Sequence, residues 1–234
     1  MKLAVIPARG GSKRIPRKNI RAFRNQPMIA WSIHAALKSA CFDSVVVSTD
    51  DEEIADIARA HGADVPFMRP AALSDDHTPT IPVIAHAIDW HRQRKLFPSV
   101  VCCIYATAPF IRPTDIQEGY ERLYQHQCDY VFSVTRYGFP IQRALRLDED
   151  GSIAMFQPEN FCTRSQDLEE AFHDAGQFYW GQADAWVNGK PIFSAHSHPV
   201  ILPAWRVQDI DTAEDWERAE RLFAAQTATE LRNE

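Results

Sequence analysis

The sequence predicts an α/β protein in which helices cover both faces of one doubly wound, mostly parallel sheet. Three observations support that fold class. Short apolar runs at 3–8, 45–47, 100–106 and 130–135 alternate with segments of helical spacing, which favours parallel strands joined by helices. The apolar fraction of 45% and the charged fraction of 24% are ordinary for a globular chain. No repeat or low-complexity linker divides the 234 residues, so we expect a single domain over 1–234.

Helices are expected wherever apolar residues recur every three or four positions in the first half of the chain. These segments are 27–40, 51–61, 81–90 and 114–126. Pro27 suits the start of the first helix, and Gly62 suits the end of the second. The fourth helix is expected to turn four side chains toward the core, namely Ile116, Tyr120, Leu123 and Tyr124.

The remaining elements are short. We expect a brief strand at 65–68 and further strands near 177–180 and 200–202, because each run is apolar and bounded by turn residues. A last helix follows residue 211, and one of its faces carries the apolar side chains Trp216, Ala219 and Phe223.

The alternation breaks between residues 136 and 172, which predicts a small inserted β-rich arm. A turn signal at 148–151 separates the strand-like runs 144–147 and 153–156 and indicates a β-hairpin. A two-stranded hairpin is marginal alone in water. We therefore expect the arm to pack on the main domain or, as a dimerisation arm, on a second subunit.

Charge and cysteine content exclude several classes of protein. The net charge is -6, which disfavours binding to nucleic acid or to a membrane surface. No apolar run reaches the roughly 18 residues of a membrane span, and the amino terminus has no signal-peptide pattern. Five cysteines without a C-x-x-C motif indicate a reduced, cytoplasmic chain rather than a disulfide framework or a zinc site.

A basic loop, residues 8–19, follows the first strand. It holds five Lys or Arg residues and two glycines, and it lies where doubly wound sheets bind ligands. Glycines let backbone amides approach phosphate oxygens, and the cations neutralise their charge. The loop therefore predicts an anion site, although a solvated basic loop is the alternative. Neither a P-loop nor a G-x-G-x-x-G pattern is present, which disfavours a nicotinamide oxidoreductase.

Two aspartates near the carboxyl end, Asp209 and Asp211, are two positions apart. On an extended segment both carboxylates face the same side, and carboxylate oxygens suit Mg²⁺. The alternative is that Asp211 only caps the last helix, with Glu214 three residues later.

Residues 6–19 resemble the signature of the CMP-sialic acid synthetase family, the cytidylyltransferases that activate nine-carbon acidic sugars; they read IPARGGSKRIPRKN. The resemblance continues at 47–50, 69–76, 107–109 and 209–212, and the stretch 172–181 resembles the pseudaminic acid branch of that family. It implies a nucleotidyltransferase, Rossmann-like fold. It also implies Mg²⁺-dependent transfer of CMP from CTP to the anomeric hydroxyl of a nonulosonic acid, pseudaminic acid, with release of pyrophosphate.

The resemblance further implies roles for individual residues. Arg9, Lys18 and Asp211 would contribute most to catalysis, and Asp209 with Asp211 would hold Mg²⁺. The nucleotide would contact Ala8, Arg9, Gly10, Gly11, Ser12, Lys13, Lys18, Asn19, Arg69, Thr78 and Thr80. For Arg69 the alternative is a surface salt bridge with Asp75 or Asp76.

The sugar would contact Tyr105, Thr107, Arg164, Gln166, His173, Gln177 and Tyr179. Tyr105 stands where sialic-type relatives usually carry glutamine, which favours a nonulosonate other than N-acetylneuraminate. A half-buried core tyrosine is the alternative at that position.

Alternatives remain for the whole protein. The same chemistry could act on N-acetylneuraminate, legionaminate or 3-deoxy-manno-octulosonate, or the chain could bind a nucleotide without turnover. The resemblance implies CTP and a nonulosonic acid as partners, Mg²⁺ as cofactor and a homodimer in which the arm borders the sugar pocket.

Overall fold

A central sheet organises the computed structural model, which describes the backbone of residues 1–233 and the side chains of residues 1–226. The strands are β1 (Lys2–Pro7), β2 (Ala22–Phe23), β3 (Gln26–Pro27), β4 (Ser44–Ser48), β5 (Val100–Ile104), β6 (Tyr130–Arg136), β7 (Leu145–Leu147), β8 (Ile153–Met155), β9 (Phe172–Gln182) and β10 (Ser197–Leu202). The α-helices are α1 (Met28–Lys38), α2 (Glu52–Ala60), α3 (Thr80–Arg92), α4 (Pro113–His126), α5 (Ala183–Val187) and α6 (Ala213–Asn233).

The central sheet has the strand order β10-β6-β9-β5-β1-β4 within the described residues. β1 is parallel to β4 and β5, and β10 is parallel to β6. β9 is antiparallel to both of its neighbours, because the chain enters it from the arm, at the carboxyl edge of β6, rather than from a crossover helix. The predicted doubly wound, mostly parallel sheet is confirmed.

Helices cover both faces of the sheet. Alternate residues of β1 point to opposite faces, so that Ala4 and Ile6 join the core under α1, α2 and α4, whereas Leu3 and Val5 join the core under α3 and α5. A third cluster joins Phe23 and the basic loop to α6 through Trp216 and Ala219, with Phe223 packed against it. That cluster confirms the predicted apolar face of the last helix.

Two predictions about local structure are wrong. Tyr124 does not face the core, since it is 79% exposed; one helical step beyond Leu123, its side chain falls on the solvent side of α4. Residues 65–68 form no strand; one isolated bridge pairs Thr49 with Met68, and another pairs Val46 with Asp64 just before the segment. Pro66 lacks the amide proton that a longer ladder would need.

The predicted hairpin is present in the arm. β7 and β8 pair antiparallel, with Leu145 opposite Met155, and Gly151 closes the turn with a φ of 82° that favours glycine. Its apolar side chains are open to solvent, and Leu147 is 75% exposed. No helix among the described residues combines the length and the apolar character that crossing a bilayer requires.

Candidate active site

A cleft of about 270 Å³ opens beyond the carboxyl ends of β1 and β5. Its polar lining comes from the basic loop, the segment before α3, the end of β5 and the segment before α6. These residues are Arg9, Ser12, Lys13, Arg14, Lys18, Asn19, Arg69, Thr78, Thr80, Tyr105, Thr107 and Asp211. Side chains that the sequence assigned to nucleotide, sugar and metal thus share one cavity.

The basic loop is held in place by its own polar contacts. Asn19 Nδ2 donates to Arg9 O at 2.9 Å, and Gly10 N donates to Asp50 Oδ1 at 3.0 Å. A Cβ at Gly10 would lie 2.5 Å from Asp51 Oδ2, so the close approach to the end of β4 requires glycine. Ala8 is buried beneath the loop, whereas Gly11 has open space beside it.

The two ends of the chain meet at Lys18. Its Nζ donates to Ile210 O at 2.7 Å and to Asp211 Oδ1 at 3.0 Å, and Arg14 Nη2 lies 2.8 Å from Asp211 Oδ2. The Lys18 side chain is only 19% exposed. One ligand in the cleft can therefore reach both the basic loop and the Asp211 carboxylate.

Asp211 does not cap α6, so that alternative is wrong. Thr212 Oγ1 accepts from Asp215 N at 3.2 Å, and Thr212 N donates to Asp215 Oδ2 at 2.9 Å. This reciprocal pair is a capping box that satisfies the helix start. Glu214, the expected partner, pairs with Arg218 instead. The Asp211 carboxylate therefore faces the cleft.

Asp209 lies beside Asp211, outside the cleft lining. Desolvation and the neighbouring Asp211 carboxylate raise the pKa of Asp209, and a bound cation would offset that penalty. The described residues offer no group of three or more His, Cys, Asp or Glu that could hold a metal. Mg²⁺ commonly takes one or two carboxylates together with substrate phosphates and waters, so the donor set of Asp209 and Asp211 fits it.

Arg69 is buried at the rear of the cleft. Its backbone N donates to Thr49 O at 2.7 Å, and its Nη2 lies 3.6 Å from Asp50 Oδ1. The alternative of a surface pair with Asp75 or Asp76 is therefore wrong. Burial lowers the pKa of Arg69, and its Nε and Nη2 have no hydrogen-bond partner within the described residues. This guanidinium has donors to offer a ligand.

Asp76 bridges the cleft by pairing with both Arg9 and Lys13. Those two cations lower the pKa of Asp76 to about 2. Asp75 holds the same loop by accepting from Thr78 N at 2.6 Å and from Thr78 Oγ1 at 2.7 Å. Asp76 thus pairs with two cations that would otherwise be available to an anionic ligand.

Replacing Asp76 with asparagine is expected to tighten binding of CTP, the nucleotide that the resemblance implies, because Arg9 and Lys13 lose their internal counter-charge. We expect the Kd to fall about 3- to 10-fold at low salt, and less at high salt, where exposed charges are screened. The pKa of Asp76 in the folded protein lies below the ordinary 3.8. The pairing of Asp76 with Arg9 and Lys13 is therefore intact above pH 4 and weakens only as the pH falls toward 2. Calorimetry with CTP measures the Kd, and Asp56→Asn on α2 is the control. Equal Kd values for wild type and Asp76→Asn would contradict this expectation.

Five of the predicted sugar residues lie outside the cleft lining. Gln177 and Tyr179 are buried in β9, where Gln177 Nε2 donates to Arg206 O at 2.7 Å. His173 packs on Tyr137 at the base of the arm. On the arm itself, Arg164 pairs with Asp167, and Gln166 lines a separate hollow. Their contact with a sugar stays a prediction.

Sequence reasoning gave no role to Arg14 or Asp50. Arg14 was counted in the basic loop, but no local pattern shows that it reaches Asp211. Asp50 lies two residues after the end of β4, and the rule that ligands bind beyond strand ends was the available signal.

A doubly wound sheet whose first loop turns cations toward a cleft at the carboxyl ends of its strands defines a nucleotide-binding α/β protein. The chain belongs to the cytidylyltransferase family, whose model matches residues 3–231, and it is therefore a nucleotidyltransferase. Members of this family generally use a divalent metal. The resemblance seen in the sequence is confirmed.

The chain is similar to particular enzymes that activate acidic sugars. The chain is 45% identical over 221 residues to a pseudaminic acid cytidylyltransferase of Campylobacter jejuni, covering 94% of this chain and 95% of the relative. It is 34% identical to a CMP-N,N'-diacetyllegionaminic acid synthase of Legionella pneumophila, covering 94% and 95%. Among solved structures, a CMP:2-keto-3-deoxy-manno-octonic acid synthetase complexed with CTP shares the fold, with a TM-score of 0.69, 17% identity and coverage of 96% and 99%.

Proposed function

We propose that the protein transfers CMP from CTP to the anomeric hydroxyl of pseudaminic acid, with Mg²⁺, and releases pyrophosphate. The observation that carries this proposal is the contact of Lys18 with Asp211 and Ile210, which brings the cationic loop and the Asp211 carboxylate to one cleft. The likeness to the Campylobacter jejuni relative over nearly the whole of both chains favours this sugar.

The basic loop would bind the triphosphate. CTP brings several negative charges, and the sugar adds a carboxylate, so positive charge must offset their repulsion and stabilise the departing pyrophosphate. Arg9, Lys13 and Lys18 supply that charge, Ser12 can donate a hydrogen bond, and Gly11 has open space beside it for close approach. Asn19 donates a hydrogen bond to Arg9 O and so stabilises the conformation of the loop.

Asp209 and Asp211 would hold the metal. Bound Mg²⁺ would neutralise phosphate charge and help to orient the reacting groups. Lys18 and Arg14 balance the charge of Asp211, and the same two cations would turn toward phosphate oxygens when substrate binds.

Arg69, Thr78 and Thr80 would surround the cytosine. The buried Arg69 guanidinium has free donors for the carbonyl oxygen of the base. Backbone carbonyls around Thr78 and Thr80 can accept from its exocyclic amine. Tyr105 and Thr107 line the same cleft at the end of β5 and would contact the sugar.

Pyrophosphate release with CTP and a panel of sugars tests the proposal. The panel contains pseudaminic acid, legionaminate, N-acetylneuraminate and 3-deoxy-manno-octulosonate, and we expect the highest kcat/KM with pseudaminic acid. A higher kcat/KM with another sugar would replace the substrate but keep the chemistry. CTP binding without pyrophosphate release with any sugar would instead favour a nucleotide-binding protein.

We also propose a homodimer formed through the arm. Phe139 is 86% exposed, and the hairpin turns Leu145, Leu147 and Ile153 to solvent. Several exposed large apolar side chains on one small arm favour an interaction site, and a marginal hairpin needs a partner surface. A second copy carries the same apolar surface.

Replacing both Leu147 and Ile153 with glutamate is expected to yield a monomer, because four charges would be buried in a symmetric interface. Light scattering after size exclusion gives the mass, and we expect twice the chain mass for wild type. The control is Leu37→Glu, on an exposed site of α1 outside the arm. A wild-type protein with the mass of one chain would contradict the dimer.

A cytoplasmic location is part of the proposal. All five cysteines are unpaired thiols, which fits a reducing compartment.

A further inference from the structure

One of the five cations in the basic loop, Arg17, does not reach the cleft. The four that line the cavity are Arg9, Lys13, Arg14 and Lys18. The Arg17 guanidinium points instead to the segment after β4, where its Nη1 donates to Asp51 Oδ2 at 2.5 Å and its Nη2 donates to Asp51 Oδ1 at 3.0 Å. The proposed function so far leaves Arg17 without a role.

The backbone of Arg17 is left-handed, with a φ of 56°, a conformation that is unfavourable for any residue with a Cβ. The other non-glycine residues with positive φ in the described chain follow helices α1, α3 and α4 or lie in the turn between β2 and β3; they are Ala40, Lys95, Gln127 and Arg24. Arg17 is in neither position. Such a residue persists only where its surroundings hold it, and these residues cluster at functional sites.

The pair with Asp51 anchors Arg17 to the start of α2. Asp51 is itself fixed, because its Oδ1 accepts from Ile54 N at 3.0 Å as the N-cap of that helix. Arg17 also pairs with Glu53 in the first turn of α2. The hydrogen bonds from Arg17 lower the pKa of Asp51, so the pair stays ionised at neutral pH. A two-pronged contact of this kind sets the direction of the guanidinium as well as its distance.

Lys18, the next residue, is anchored on the other side of the loop. Its Nζ donates to Ile210 O at 2.7 Å in the segment before α6. Between the two anchors, Arg17 O accepts from Ile20 N at 3.0 Å and from Arg21 N at 2.8 Å. A change of Arg17 to negative φ would rotate the chain directly before Lys18 and would move its ammonium group away from the cleft.

We propose that Arg17 is a positioning residue, whose pair with Asp51 holds the left-handed turn that directs Lys18 into the cleft. The inference rests on the proposed function, because it takes Lys18 as the cation beside the reacting phosphates. It adds to that function the residue that sets the place of Lys18. Arg17 points away from the cleft, so it acts through this turn and not on the substrate.

Two substitutions of Arg17 test the turn, because both remove the guanidinium but they differ in backbone preference. Alanine disfavours positive φ, whereas glycine adopts it at no steric cost. We expect Arg17→Ala to lower kcat about 10-fold and Arg17→Gly to lower it no more than about threefold. Steady-state pyrophosphate release at saturating CTP and pseudaminic acid measures both effects.

The effect of Arg17 should depend on Lys18. In the Lys18→Ala background, Arg17→Ala should lower kcat by less than about twofold more, because the turn then has no ammonium group to place. Losses that multiply in the double variant would mean that Arg17 acts independently of Lys18, and would overturn the proposal.

Arg24 is the matched control. It has nearly the same φ, 58°, in the turn between β2 and β3, and it lies outside the cleft lining. Arg24→Ala and Arg24→Gly can differ in Tm for the same backbone reason, but kcat should stay within twofold of wild type in both.

Equal losses of kcat in Arg17→Ala and Arg17→Gly would show that the guanidinium itself contacts substrate, which would overturn the proposal. A lower Tm with unchanged kcat in both variants would make the pair with Asp51 only a stabilising contact, and would overturn it as well. A wild-type protein that releases no pyrophosphate with any sugar would overturn the proposed function instead. Calorimetry with CTP would then decide the turn, since Arg17→Ala should raise the Kd more than Arg17→Gly does, and equal Kd values would contradict it.

Discussion

Replacing Lys18 with alanine is expected to lower kcat by about 10²- to 10³-fold, the usual effect of removing one preorganised charge from a transition state. The Lys18 side chain is mostly buried, and its Nζ lies 3.0 Å from Asp211 Oδ1. Without it, negative charge on the acidic pair and on the substrate phosphates loses the cation that stands between them. Steady-state pyrophosphate release at saturating CTP and sugar measures the effect.

Two variants make the Lys18 result specific. Lys38→Ala removes a lysine at the end of α1, outside the cleft, and should leave kcat within twofold. Lys18→Arg keeps the charge but not the compact ammonium geometry, and should fall between alanine and wild type. Near-normal turnover by Lys18→Ala would remove Lys18 from catalysis.

Features that depend only on neighbouring residues in the sequence could be predicted. The basic loop was visible because its cations and glycines are adjacent, and its place after β1 followed from the apolar run before it. The β7–β8 hairpin followed from the turn signal at 148–151. Both depend on local chain chemistry, which a sequence displays directly.

Features that depend on distant partners were not predictable. The reversed direction of β9 follows from where the arm rejoins the sheet, and periodicity contains no strand direction. The pairing of Asp76 with Arg9 and Lys13 joins residues more than 60 positions apart. Which neighbour caps α6 was decided by side-chain geometry at Thr212 and Asp215, and both Asp211 and Thr212 are residue types that cap helices.

The contact of Lys18 with Asp211 could be predicted from the sequence only in part. The rule that ligands bind beyond the carboxyl ends of strands placed the basic loop, and the resemblance placed the acidic pair beside it. Neither gave the contact of Lys18 Nζ with Ile210 O at 2.7 Å, which fixes the segment before α6 against the loop.

Asp211→Asn is expected to lower kcat at least about 100-fold and to raise the Mg²⁺ concentration needed for half-maximal rate. The amide keeps the shape of the side chain but loses the charge that a metal carboxylate site needs. Folding should be preserved, because the start of α6 is capped by Thr212 and Asp215 rather than by Asp211. The Tm should therefore stay close to that of wild type.

Asp215→Asn is the matched control, and it should show the opposite pattern. It weakens the capping box, for which we expect a loss of about 1 kcal/mol in the free energy of unfolding, while the Mg²⁺ dependence stays that of wild type. Two aspartates four residues apart would then affect different quantities, the metal requirement for Asp211 and the stability for Asp215. Full Mg²⁺-dependent activity in Asp211→Asn would show that the Asp211 carboxylate serves only to balance Lys18 and Arg14, and that the metal is held without it.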